Sequence, residues 1–328
     1  CWCSIFSSPC TKHFNTISSL EHLNIKIDKS SFQYSKVYEK SKAAVERLRK
    51  GLEFTLKKLN IDIIKNTAKL LTPNTVLVGD TQIEAENIIL ATGSTPLGLP
   101  NISFDSEIIL SSKEVLNFTS LPNSIAVIGG GVVGLELGYL LNSFGVDVSI
   151  FEFMPSILPR EDTEIINTLT RVLKKQGIQF ICNAKVKSVS HEKERNKALL
   201  KYEDKQKNEH EKIIDKVLLA VGRKPNTSDL NITELGLETE NEFLKVNEFY
   251  QTNISNIYAI GDIVNTPLLA HVASREAEIA VDHICGLNPI TLDINFVPSV
   301  IYTEPQVASF GYSEQTLKDI KLDYEKKV

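Results

Sequence analysis

The sequence predicts an α/β protein of the doubly wound kind. Three observations carry that reading. An apolar strand at residues 124–128 breaks into Gly129-x-Gly131-x-x-Gly134 and continues as a helical stretch. Short β-rich runs alternate with helix-length segments along much of the chain, as parallel sheets require. Two more apolar runs, residues 88–91 and 216–221, stop at small-residue turns that begin at Thr92-Gly93 and Gly222.

The elements follow in order. Residues 36–59 read as an amphipathic helix, with Val37, Ala44, Val45, Leu48, Leu52 and Leu56 near helical spacing on one face, expected to cover a sheet. Strands are expected at 61–64, 75–78 and 87–91. Residues 124–152 read as strand, glycine turn, helix and strand. A helix at 163–175 ends before Gly177, and a strand follows at 178–182. Residues 185–220 alternate strands around the charged turn EKERNK, a solvated hairpin tip. A strand at 257–263 ends at Gly261-Asp262, a helix at 271–285 closes on Gly286, and a new strand begins near Phe296.

Bulk properties narrow the function. The chain has 328 residues, 42% hydrophobic and 23% charged, which is ordinary globular composition and length enough for two or three domains. A net charge of -5 gives no electrostatic reason to seek nucleic acid or an anionic membrane surface. Residues 124–141 are apolar enough to suggest a membrane span, but they hold Gly129, Gly130, Gly131, Gly134 and Gly138, carry Glu136 and lack basic flanks. Neither a membrane nor a nucleic-acid partner is expected. The five cysteines are Cys1, Cys3, Cys10, Cys182 and Cys285. Their odd number and the lack of C-x-x-C suggest no disulfide framework and no zinc site, and fit a reducing compartment.

The glycine unit carries the chemistry. Gly129 permits the tight turn after the strand, Gly131 lets the backbone approach a pyrophosphate, and Gly134 lets the helix pack closely on the sheet. The phosphates would meet the N–H groups and positive end of the helix dipole. A G-x-G-x-x-G alone is weak. Here an apolar strand precedes it, a helix follows, and a second strand ends at Glu152. That carboxylate stands where ribose hydroxyls are accepted and would repel a 2′-phosphate, so NAD is favoured over NADP. The turns after residues 91 and 221 are by themselves ordinary strand terminators. Asp262, at the end of an apolar strand, faces a ligand crevice or merely caps a turn.

Seven motifs in order then resemble the pyridine nucleotide–disulfide oxidoreductase family: ATGS, GGGVVGLELG, FE, AVGRKPNT, TNISNIYAIGD, LLAHVASREAEIAV and VPSVIYTEPQVASFGYSE. The resemblance covers about residues 36–328. Its GLELG, Glu152, LPREDTE and LLAHVASREAE features are most similar to the dihydrolipoamide dehydrogenase group. It implies two Rossmann-like dinucleotide-binding domains, the FAD part incomplete and the NAD part complete, and the start of an α+β dimerisation domain. The implied boundaries are 1–122 and 247–292 for the two FAD-domain segments, 123–246 for the NAD domain and 293–328 for the interface domain.

The implied cofactors are FAD and NAD. Thr92, Gly93 and Ser94 would lie against FAD, Asp262 would hold its ribityl chain, and Leu268, Leu269, Ala270 and His271 would run beside the isoalloxazine. Gly129, Gly130, Gly131, Val132, Val133, Gly134, Leu135 and Glu136 would cradle NAD, with Glu136 near the nicotinamide and Glu152 on the ribose. Val186 and Gly222 would flank the adenosine end. The implied activity is oxidation of dihydrolipoamide, borne on a lipoyl domain of a 2-oxoacid dehydrogenase complex, with electrons passing through a redox disulfide and FAD to NAD. Full-length members are homodimers, in the cytoplasm or, in eukaryotes, the mitochondrial matrix.

The chain departs from the family at both ends. No G-x-G-x-x-G precedes residue 36, and the N-terminal cysteines are separated by two and seven positions, where the family places its redox pair five apart. Ser8-Pro9-Cys10-Thr11-Lys12 echoes the family's run only faintly, and the C-terminal His–Glu base has no counterpart before Val328. Catalytic residues are therefore unassigned, and truncation at both ends is expected. Two alternatives remain: another reductase or oxidase of the family, or a non-catalytic nucleotide-binding remnant.

Overall fold

The computed structural model describes Thr16, Asn24, residues 31–192 and residues 196–327. Cys1, Cys3, Cys10, the 8–12 run and part of the EKERNK turn, residues 193–195, lie outside the described residues.

The described chain opens with α1 (Tyr34–Lys58). The strands β1 (Ala68–Thr72), β2 (Thr75–Val78) and β3 (Thr81–Glu84) form a meander, followed by β4 (Ile88–Leu90), β5 (Ser94–Pro96) and β6 (Ile109–Leu110). A short α2 (Ser112–Val115) leads to β7 (Ser124–Ile128), α3 (Val132–Ser143), β8 (Asp147–Glu152), α4 (Thr163–Lys175) and β9 (Gln179–Cys182). Then come β10 (Lys185–Glu192), β11 (Lys197–Glu203), β12 (Glu209–Ile214), β13 (Lys216–Leu219) and β14 (Arg223–Pro225). The order continues through β15 (Thr239–Glu240), β16 (Phe243–Leu244), β17 (Ile257–Ala259), α5 (Ala270–Ile284), β18 (Ser299–Ile301), β19 (Val307–Ser309) and α6 (Glu314–Asp319). These elements gather into two compact units, residues 1–51, 96–222 and 298–328 in one, residues 52–95 and 223–297 in the other.

The first unit is built on a five-stranded sheet of order β6-β13-β7-β8-β9, whose ladders are all parallel. Its central strands are near-continuous apolar runs because both faces are covered. The two-residue period divides them cleanly. Ile125 and Val127 of β7, Val148 and Ile150 of β8 and Leu218 of β13 meet Leu135, Leu137 and Leu141 of α3 and Ile166, Leu169 and Leu173 of α4. The intervening Ala126, Ile128, Phe151, Val217 and Leu219 join Ala198, Leu200 and Ile214 of the antiparallel sheet β10-β11-β12. In α4 the buried residues recur at i, i+3 and i+7, the stripe a surface helix presents to a sheet.

The second unit pairs β4 with β17 in parallel, Ile88 opposite Ile257 and Leu90 opposite Ala259. Ile257 and Ala259 face a cluster with Leu70, Leu230, Leu237 and Leu244. Tyr258 and Ile260 face another with Tyr250 and with Ile279 and Ala280 of α5.

The α/β class stands as expected, and so do most elements. Four details are corrected. Residues 61–64 form no strand: Asn60 takes a left-handed conformation (φ 55°), Ile61 N–H bonds back to Leu56, and the isoleucines beyond are exposed. The apolar stripe of α1 covers a core only at its start. Tyr34, Val37 and Ser41 are buried, the Tyr34 ring meeting Phe144 edge-on at 5.3 Å, whereas Leu48 and Leu52 are more than 60% exposed. The strand expected at 257–263 stops at Ala259 and gives way to a 3-10 turn, Gly261–Ile263. The last strand starts at Ser299, after a 3-10 turn over Ile294–Phe296. Among the described residues no helix is long and apolar enough to cross a membrane.

Leu137, fully buried, and Leu52 test this packing against each other. Leu137→Ala should cost about 2–5 kcal/mol and Leu52→Ala less than about 0.5 kcal/mol in urea unfolding followed by circular dichroism. Equal losses would contradict the assignment of the two faces.

Candidate functional site

In the first unit, β7 ends at Ile128 and α3 begins at Val132, so the glycine turn lies at the carboxyl edge of the parallel sheet. Gly129 has φ 111°, and a side chain there would collide with the Ala220 carbonyl beyond the end of β13. A side chain at Gly134 would collide with the Gly129 carbonyl. Gly131 differs: a Cβ there would meet nothing within 4 Å. It is also the N-cap of α3, with no side-chain cap and no acid in the first turn. An uncapped helix start with open space beside it suits an anion.

Glu152 closes this cradle. It stands at the end of β8, and its Oε2 accepts the Gly130 N–H at 2.6 Å while Oε1 accepts the Met154 N–H at 2.8 Å. Two backbone donors thus fix the carboxylate, and each oxygen keeps a lone pair for an incoming hydroxyl. Val132 is exposed, Val133 is half-buried and Leu135 is fully buried in the core. Glu136 is buried in α3, and its Oε1 accepts the Tyr302 N–H at 2.9 Å, tying the segment after β18 to this helix. Val186 lies on β10 opposite Tyr202, packed at the edge of the second cluster of this unit. Gly222 has φ 142°, and its carbonyl accepts the Leu97 N–H.

In the second unit the two strand-end turns come together. Thr92 Oγ1 donates to the Asn226 carbonyl at 2.8 Å, Asn226 Nδ2 donates to the Thr92 carbonyl at 2.9 Å, and Asn226 N–H donates to the Gly93 carbonyl. Arg223 grips Ser94, donating from Nε to the hydroxyl at 2.7 Å and from Nη2 to the carbonyl at 2.6 Å. A guanidinium only donates, so the Ser94 hydroxyl proton is directed to Asp262 Oδ2, 2.6 Å away. Arg223 Nε itself lies 3.7 Å from that oxygen. Among the described residues Asp262 Oδ1 accepts no hydrogen bond. Leu269 is the N-cap of α5, again without a side-chain cap, and Leu268, Ala270 and His271 are exposed beside it.

Behind this turn Glu276 is fully buried. Its Oε2 accepts the Gly261 N–H at 2.5 Å and its Oε1 the Thr266 hydroxyl at 2.6 Å. Burial pushes the Glu276 carboxyl up, against the pull of those two donors, and the neighbouring Asp262 charge pushes the same way as burial. Cys182 and Cys285, the cysteines among the described residues, are both free. Burial, helped by the Glu152 charge, raises the Cys182 thiol, the reverse of an activated nucleophile.

Known proteins show the family. The family model described as "pyridine nucleotide-disulphide oxidoreductase" matches residues 12–277. The chain belongs to the pyridine nucleotide–disulphide oxidoreductase family. Its similar relatives include a dihydrolipoyl dehydrogenase of Bacillus subtilis, 36% identical over 93% of this chain and 67% of the relative. A mitochondrial dihydrolipoyl dehydrogenase of Pisum sativum is 34% identical over 95% of this chain and 62% of its own length. The chain spans about two thirds of the curated relatives it matches. Among solved structures, LpdA from Mycobacterium tuberculosis aligns with a TM-score of 0.86 at 22% identity, over 97% of this chain and 70% of its own. The flavoprotein disulfide reductase RclA from Escherichia coli aligns with a TM-score of 0.80 at 24% identity, over 94% and 68%. These two likenesses bear on the fold.

The pyridine nucleotide–disulphide oxidoreductases use FAD and NAD, and the residues present fit both. The open side of Gly131 and the uncapped start of α3 suit a pyrophosphate, and the pinned Glu152 suits ribose hydroxyls. The unengaged Asp262 oxygen and the uncapped start of α5 suit the polyol and ring edge of a flavin. Sequence reasoning missed Arg223 and Glu276. Arg223 lies inside the AVGRKPNT motif, which reads from sequence only as a small-residue turn. Glu276 falls with Val272, Ile279 and Ala280 on the buried stripe of α5, and an acid on an apolar stripe is the signal that would have found it.

The glycine contacts make a sharp prediction. Gly134→Ala should destabilise the chain by about 1–3 kcal/mol because helix and sheet must part. Gly131→Ala should change stability by less than about 0.5 kcal/mol. Thermal melting of the two variants checks this, and equal shifts would refute the close approach at Gly134.

Proposed function

We propose that this chain is the nucleotide-handling part of a dihydrolipoyl dehydrogenase, which removes two electrons from the dithiol of dihydrolipoamide and delivers them to NAD. The observation that carries the reading is the cradle of the first unit: an uncapped helix start, an open Gly131 and a carboxylate held at the next strand end by the Gly130 N–H. The relatives of that name supply the substrate class. In this reading Gly129 to Glu136 and Glu152 hold NAD, and Val186 and Gly222 flank its adenosine. Thr92, Gly93, Ser94, Asp262 and Leu268 to His271 hold FAD, which when bound supplies the two-electron relay between dithiol and nicotinamide.

The remaining parts of the reading rest on the family. The domain limits at 122, 246 and 292, the homodimer, the lipoyl-domain partner and a cytoplasmic or matrix location come with the dihydrolipoyl dehydrogenase assignment. Catalytic thiols and base stay unassigned in this chain. The residues of the two cofactor sites do three things: bind the nucleotide phosphates, orient the ribose, and present a carboxylate to the flavin's hydroxyls.

The direct test is the absorbance spectrum of the purified chain followed by titration with NADH. A flavin band that NADH bleaches is the expected result. A colourless chain that binds NADH would confine the reading to NAD, and one that binds neither would overturn it. Gly131→Val should raise the Kd for NADH at least about 100-fold, roughly 2.7 kcal/mol, with melting unchanged. Glu152→Arg should weaken NADH and favour NADPH, measured by the ratio of the two dissociation constants. An unaltered ratio removes Glu152 from the ribose site.

A further inference from the structure

Asp262 is useful to a ligand only if its carboxylate is held in one place. The side chain is steadied by the Ser94 hydroxyl, which Arg223 orients. The backbone needs a separate anchor. Ile260, extended at φ −140° and ψ 161°, gives its N–H to the Leu90 carbonyl, and there the parallel ladder ends. Gly261 then turns into the left-handed region at φ 70°, and Val264 N–H closes the 3-10 turn on the Gly261 carbonyl. The Gly261 N–H finds its acceptor in Glu276, two turns into α5 and wholly buried. The other carboxylate oxygen takes the Thr266 hydroxyl at 2.6 Å. One side chain therefore clasps both ends of the segment from Gly261 to Thr266, and Asp262 is the second residue of that segment.

A buried carboxylate is a costly way to fill a helix stripe that an aliphatic residue would fill without desolvation penalty. Its two oxygens here answer two donors, the Gly261 N–H and the Thr266 hydroxyl. We propose that Glu276 is a positioning residue, which holds the Gly261–Ile263 turn so that Asp262 presents its carboxylate to the hydroxyls of the FAD polyol. This rests on the reading that the second unit holds FAD. Glutamine suits the same place: its oxygen accepts the Gly261 N–H, and its amide donates to the Thr266 hydroxyl, which rotates to accept. Leucine fills the volume and leaves the Gly261 N–H without an acceptor.

The test uses the 328-residue chain and its Glu276→Leu, Glu276→Gln, Asp262→Ala and Glu276→Leu/Asp262→Ala variants. FAD affinity is measured by quenching of flavin fluorescence, and backbone exchange by mass spectrometry of the apo chain. Glu276→Leu should weaken FAD about 10- to 100-fold, the scale of one charge-assisted hydrogen bond, while Glu276→Gln stays within about threefold of the parent. In the Asp262→Ala background Glu276→Leu should cost nothing more, because its effect passes through Asp262. Full additivity of the two losses would make Glu276 an ordinary core residue and overturn the proposal, as would parental FAD affinity in Glu276→Leu. Exchange over residues 260–264 separates the two readings. Should the parent chain bind no FAD, the flavin reading fails by itself. Faster exchange in Glu276→Leu alone then keeps Glu276 as the anchor of the turn, and unchanged exchange removes it.

Discussion

The structure of the first unit depends on one close contact, the approach of α3 to the ends of β7 and β13. Backbone carbonyls of Gly129 and Ala220 lie where side chains at residues 134 and 129 would project. The helix can start directly over the carboxyl edge of the sheet because those positions carry no Cβ. From this the rest follows. The first N–H groups of α3 come to the sheet edge, where no side chain caps them. Glu152, one strand over, reaches the Gly130 N–H. Glycine turn, helix start and acid therefore meet at one edge of the sheet.

The second unit solves a similar problem with different parts. Its parallel pair is short, three residues on each strand, and the turn that follows has fewer ladder bonds to lean on. Side chains take over. Arg223 at the start of β14 and Asn226 just after its end hold Ser94 and the turn after β4, and a carboxylate again receives a glycine N–H. In both units the bond runs from a glycine N–H to a carboxylate oxygen, at 2.6 Å for Gly130 and 2.5 Å for Gly261. In each unit the pinned glycine lies beside the place proposed for a cofactor hydroxyl.

Most of the fold was legible because its signals are local. The strands of residues 124–152, the helix at 163–175 and the glycine spacing read directly from the chain. What failed was decided by distant contacts. The isoleucines at 61–64 have strand composition but no neighbour to pair with among the described residues, and strand propensity needs a partner surface. The stripe of α1 has helical spacing throughout, yet only its first two turns meet the core around Phe144. At the site, Asp262 was legible as a strand-end acid. The order of donors that orients it was not, because Ser94 and Arg223 are 129 residues apart in sequence and meet only in the folded unit.

Glu136 and Glu276 show why buried acids are the informative residues here. Each sits on the inner stripe of the helix that follows a glycine turn at a strand end, and each is at most 2% exposed. In packing terms both positions call for leucine. Each instead directs its carboxylate to a backbone N–H outside its own helix, Tyr302 in one case and Gly261 in the other. A backbone donor buried without a partner costs more than a well-made charged hydrogen bond, so the acid is favoured wherever the fold leaves such a donor facing a helix. The two helices thereby fix segments that lie beyond the last ladder bonds of their strands, Tyr302 after β18 and Gly261 after β17. Sheet ladders cannot do this at the edge of a crevice, because the ladder has to stop there for the crevice to exist.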